Sequence, residues 1–152
     1  MPVGVTGLIH PFVRCDASQF RELTPVSFAA TSYRFEAPLL LATMAFQAGD
    51  KAGMENWTRE GLTAAPWHPG LLFFLGLLAA EDGKLDVAEA VFAAAVTVNP
   101  LHQASQFALA NCLLRRDETE RAAVHLRNTV RIGGKTERGK AAAALLKRID
   151  GT

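Results

Sequence analysis

A 34-residue register runs through most of this chain and restricts it to a stack of similar units. The clearest copy extends from Pro69 to His102, PGLLFFLGLLAAEDGKLDVAEAVFAAAVTVNPLH. Its small and punctuating slots hold Gly76, Gly83, Ala88, Phe92, Ala95 and Pro100. Upstream the slots take Leu41, Ala42, Gly61 and Pro66; downstream they take Leu109, Ala110, Leu113, Asp117, Ala122, Leu126 and Ile132. A period of this length marks a repeat architecture in which one unit cannot bury its apolar face alone.

Each unit reads as two helices joined by a turn. In the first, Pro38 falls in the opening turn of a helix, where a missing N–H costs little. Gly49 and Asp50 make the turn, and a second helix over 51–64 ends before Pro66. In the second unit, Gly83 supplies a residue able to take positive φ. Asp86 and Glu89 resemble a capping box. Ala88, Phe92 and Ala95 share one helix face. In the third, Gly133 and Gly134 replace the closing proline. A lone helix over 136–150, capped by Thr136, presents Ala142, Leu145 and Leu146 as one stripe and closes the stack, as a solenoid end requires. The expected organisation is an extension over 1–34 and a repeat domain over 35–152, with repeats at about 35–68, 69–102 and 103–134. A short helix over Asp16–Leu23 and the anchors Phe12, Phe20, Phe28 and Phe35 suit the extension to capping the first repeat or to pairing two chains as a homodimer.

The 152 residues are enough for one domain with a real core, and a hydrophobic share of 49% excludes a disordered chain. Cys15 and Cys112 show neither disulfide nor metal spacing, which points to a reducing compartment. The start, MPVGVTGLIHPFVRC, lacks the basic head of a secretory signal, so a cytoplasmic location is expected. The longest apolar run, Leu71 to Ala80, is about half a membrane span, and no membrane insertion is expected. The net charge of +1 conceals an asymmetry: residues 35–100 carry 8 acidic and 3 basic groups, residues 101–152 carry 5 and 10. Acids interleave the basic groups and no stacking aromatics accompany them, so nucleic acid is not an expected partner. Catalysis is not expected either. His10, His68, His102 and His125 are scattered, with His68 and His102 at matching repeat positions as turn residues. Neither cysteine has a catalytic partner, and Gly133–Gly134 lacks the Lys-Ser/Thr of a phosphate loop. No cofactor or metal is implied.

The register, with Gly76, Gly83, Ala88, Phe92, Ala95 and Pro100 in place, resembles the tetratricopeptide (TPR) repeat. The resemblance implies an all-α, three-repeat helical-hairpin solenoid and a protein-binding rather than catalytic role. It also implies that the first helix of each repeat lines a concave face. On this chain that face would carry Leu39, Thr43 and Phe46, then Phe73, Leu77 and Ala80, then Phe107, Asn111 and Leu114. Such a lining suits a protein or peptide client with apolar anchors. The Lys/Asn/Arg clamp with which TPR co-chaperones hold acidic C-termini would map to Leu39, Thr43, Phe74, Ala104 and Ala108, which offer neither charge nor amide. Repeats two and three further resemble the class II chaperones of bacterial type III secretion, through FFLG (Phe73–Gly76), the run from Gly83 to Val96 and the run from Gln106 to Ala122. That resemblance implies a chaperone holding an apolar segment of a secreted client. An adaptor joining folded subunits of a larger assembly is the alternative. Phe73→Asp is expected to abolish client binding without loss of helix.

Overall fold

The computed structural model describes residues 25–151, with side chains from Arg34 onward. Among the described residues there are seven helices and no strand: α1 (Pro25–Ala48), α2 (Lys51–Ala64), α3 (Pro69–Glu81), α4 (Leu85–Val98), α5 (Gln103–Leu114), α6 (Thr119–Gly133) and α7 (Glu137–Asp150). They pack as the hairpins α1–α2, α3–α4 and α5–α6, with α7 lying on α6. Neighbouring hairpins touch through α2 and α3, α4 and α5, and the first helices α3 and α5. The chain is therefore an all-α solenoid of helical hairpins. The expected helix over Asp16–Leu23, and any pairing through Phe12, Phe20 or Phe28, lie outside the described residues and side chains.

The register governs the turns. Each hairpin reverses at one left-handed residue: Gly49 (φ 72°), Gly83 (φ 75°) and Asp117 (φ 61°). Glycine takes this conformation without a Cβ penalty, and Asp is among the few side chains that tolerate it. At two of the three later boundaries the side chain just before the helix caps it. His102 Nδ1 accepts the Ser105 N–H at 3.3 Å, and Thr136 Oγ1 accepts the Gly139 N–H at 3.0 Å. His68 stands in the same slot but makes no cap bond.

Two local expectations need correction. Pro38 does not open a helix; it lies inside α1, which runs unbroken from Pro25. Residue 34 is therefore an internal helix position. An interior proline normally kinks or breaks a helix. Here Pro38 is buried against α2 at Gly61, where the missing side chain also admits Leu71. Tertiary packing outweighs the local penalty. The capping box at Asp86 does not form either. The slot before α4 is Lys84, which makes no side-chain cap, and the equivalent residue before α2, Asp50, does cap, accepting the Gly53 N–H at 2.9 Å. Asp86 sits one step inside the first turn, where its charge still favours the helix dipole.

Helix α3 is apolar all round because it is central. It buries Leu71, Leu72, Phe73, Phe74, Gly76, Leu78 and Ala79 between its neighbours and leaves Leu75, Leu77 and Ala80 partly open to water. Phe92 of α4 lies over Gly76; a Cβ there would overlap the Phe92 ring. At the C-terminal end, Ala142 of α7 packs with Ala110 and Leu126. Its first turn approaches the end of α6 so closely that a Cβ at Gly139 would overlap the Gly133 carbonyl. Gln103 fastens this corner, donating to Thr129 O at 3.0 Å and to Gly133 O at 2.9 Å and accepting from Thr136 at 3.1 Å.

Part of the charge asymmetry is answered within the chain. Arg116 pairs with Asp86 at 3.0 Å and with Glu89, and Arg121 reaches Glu89 at 2.8 Å. The acids of repeat two thus meet bases of repeat three across the hairpin interface.

Candidate functional groove

The first helices converge on an open groove of about 250 Å³. Phe46 of α1 stands at one side, Phe73, Leu77 and Ala80 of α3 form the middle, and Phe107, Ala108 and Asn111 of α5 form the far wall. Phe92, Ala104 and Cys112 complete the floor, and Arg115 and Arg138 line the end nearest α7. The lining is apolar but for Asn111 and the two arginines.

Six of the nine residues expected on the concave face line this groove: Phe46, Phe73, Leu77, Ala80, Phe107 and Asn111. Leu39 and Leu114 do not; both pack against the core clusters. Thr43 does not either, and its hydroxyl donates to Leu39 O at 2.8 Å within α1. Repeat position alone could not separate these rows, because inclination of each helix to its neighbour decides which residue of a face reaches the hollow.

The two phenylalanines at equivalent slots behave differently. Phe73 is only 8% exposed, with its ring against Phe74 at 5.5 Å, Phe92 at 6.2 Å and His102 at 6.1 Å. It is floor already buried by the protein itself. Phe107 is half-buried, and Phe46 is 43% exposed with its ring 5.8 Å from Phe74. These two and Leu77 hold the apolar area still available to a ligand. The substitution Phe73→Asp would place a charge in the core, so it reports on folding rather than on binding.

Sequence reasoning did not find Arg115 and Arg138. Arg138 lies 34 residues beyond Ala104, so carrying the register one unit past the third repeat would have pointed to it. Arg115 left no periodic signal; it follows the last residue of α5 at the turn.

The histidines and the cysteine near the groove favour their neutral forms. Burial lowers the His102 pKa, aided by the charges of His68 and Arg138. Burial also lowers that of His68. Burial first, then Glu89, pushes the Cys112 thiol up, and its Sγ–H donates to Leu85 O at 3.4 Å. A thiol held neutral is a weak nucleophile.

No family model matches the chain, and no curated protein matches it. Solved structures do. A Thermobaculum terrenum O-GlcNAc transferase mutant superposes with a TM-score of 0.70 at 24% identity, over 78% of this chain and 22% of the transferase chain. The first TPR of Spaghetti (RPAP3), bound to the HSP90 peptide SRMEEVD, gives 0.69 at 17% identity, over 79% of this chain and 95% of that one. The first TPR domain of human RPAP3 gives 0.62 at 14%, over 79% and 98%. The fold is that of a TPR solenoid, and the chain spans about a fifth of the transferase it resembles. No helix among the described residues is long and apolar enough to cross a membrane.

Proposed function

We propose that this chain is a non-enzymatic protein-binding module that takes an apolar segment of a client in the groove between its first helices. The carrying observation is the open hollow walled by Phe46, Leu77 and Phe107. Each wall residue that a client covers contributes roughly 1.5–3 kcal/mol if its side chain passes fully out of water. Asn111 offers an amide for a client backbone group. The Spaghetti neighbour, which holds a peptide, supports a peptide as the ligand class. Its acidic peptide is not transferred with it, since the clamp slots here are Leu39, Thr43, Phe74, Ala104 and Ala108.

The finer reading is a chaperone of the type III secretion class, keeping an aggregation-prone client monomeric before export. Its support is the resemblance of Phe73–Gly76, Gly83–Val96 and Gln106–Ala122, segments that supply the floor, the backing helix and the far wall of the groove. The test uses Phe46→Glu, at a side chain 43% exposed, and Leu77→Glu, both of which charge the wall. Capture of a native partner by the wild-type chain and not by these variants is expected, with an unchanged helical circular-dichroism spectrum. An apolar peptide from that partner should bind within roughly tenfold of the whole protein. Retained capture removes the groove reading. A peptide without affinity favours an adaptor between folded subunits.

A further inference from the structure

We infer that the α7 end of the groove reads an acidic side chain: Arg115 and Arg138 pair with an Asp or Glu of the bound peptide, beside its apolar anchor. This rests on the peptide-groove reading above. Arg115 and Arg138 line the same hollow as Phe107 and Asn111, and both are exposed. Among the described residues neither side chain makes an ion pair or a hydrogen bond. Their neighbours are different. Arg116, next in sequence to Arg115, is held by Asp86, Glu89 and Glu118, and Arg121 by Glu89 and Glu118. The groove lining has these two cations and no carboxylate.

Charge complementarity therefore selects an anion at this end, and a guanidinium fork suits a carboxylate. The other end is unsuitable for one. There Phe46 also borders a smaller hollow with Asp50 and Glu81, whose Lys51 is already paired with Asp82 at 2.7 Å. A client's acid is directed toward α7 and its apolar anchor toward α3, which fixes the direction of the chain in the groove. The hollow is open to solvent along its length, which suits a peptide laid in a groove rather than an enclosed small molecule. The site also differs from the acid-holding clamp, since the clamp slots here are uncharged.

The probe is a set of acetylated, amidated peptides with Leu and Phe anchors, in which Asp is moved along the sequence, each with an Asn twin. Binding is read by fluorescence anisotropy. In one register the Asp peptide is expected to bind roughly tenfold tighter than its twin. That preference should vanish in Arg115→Gln/Arg138→Gln while the Asn peptide binds as before. It should also shrink at high salt, since both groups are exposed. An undiminished preference in the double variant, or none at any position, overturns the carboxylate subsite and leaves the groove standing. Binding of none of these peptides by the wild-type chain overturns the groove as well. Displacement by millimolar inorganic phosphate would identify a general anion site and overturn the peptide assignment. Both substitutions are at exposed positions, and circular dichroism confirms folding in each case.

Discussion

Repeats two and three fill the same slots with different residues, and the pairs change together. Repeat two sets Gly76 beneath Phe92; repeat three sets Ala110 with Leu126. The larger residue on the second helix faces the smaller one on the first, so the volume between the helices is nearly conserved while its partition is not. Phe73 and Phe107 show the same contrast for the groove. Phe73 has a hairpin on either side and becomes core, whereas Phe107 has only the lone helix α7 beyond it and stays half open. A slot in the register fixes which face a residue occupies. The number of neighbouring units fixes how much of it water can reach.

The largest expected effect tests this contrast directly. Phe73→Ala should cost about 3–5 kcal/mol of stability in urea denaturation, as loss of a buried aromatic does. Phe107→Ala should cost about 1–2 kcal/mol, with its main effect on ligand binding. Equal losses would mean that the two phenylalanines do the same work and would erase the distinction. Next, Gly76→Ala should destabilise by about 1–3 kcal/mol through overpacking, although alanine is the better helix former. Combining it with Phe92→Leu, the arrangement of repeat three, should recover part of that loss. A double variant as weak as the sum of its parts would show that the slots are not exchangeable.

A smaller effect concerns the caps. Thr136→Ala should cost about 1 kcal/mol, measured as a lower denaturation midpoint, because the Gly139 N–H loses its acceptor. The smallest is a pH response of the half-buried histidines, in which His125 shares, its pKa lowered by burial and then by Arg121. His68 and His102 have pKa values lowered from 6.5 on folding, first by burial, with Arg138 and the other histidine adding to the effect on His102. The unfolded chain then takes up protons that the folded one refuses, so this stability is present above pH 6.5 and is lost as pH falls from there toward the lowered folded values. The melting temperature should drop over that range, and His102→Asn, which keeps a capping group without titrating, should flatten the slope. An unchanged slope would remove His102 from the response.

Much of the architecture was legible because its signals are local. Gly49, Gly83 and Asp117 turn the chain by backbone conformation, Thr136 caps its own helix, and the alternation of small and large residues repeats at fixed distance. The capping box at Asp86 was misread by two positions because cap chemistry depends on where the turn ends, and Lys84 occupies that place. Pro38 was misread because local rules assign it to a helix start, while burial against α2 holds it inside α1. The groove was half legible: the first helices face it as the TPR resemblance implies, but Leu39, Thr43 and Leu114 fall outside it.

By itself the sequence determined the repeat length, the turns and the apolar character of the first helices, since each depends on residues close together in the chain. Only the tertiary structure decided that Phe73 is floor and Phe107 wall, and that Arg115, at the turn after α5, and Arg138 of α7 line one hollow. Exposure and charge pairing depend on what neighbouring hairpins cover, and that follows from how the units stack rather than from any one of them.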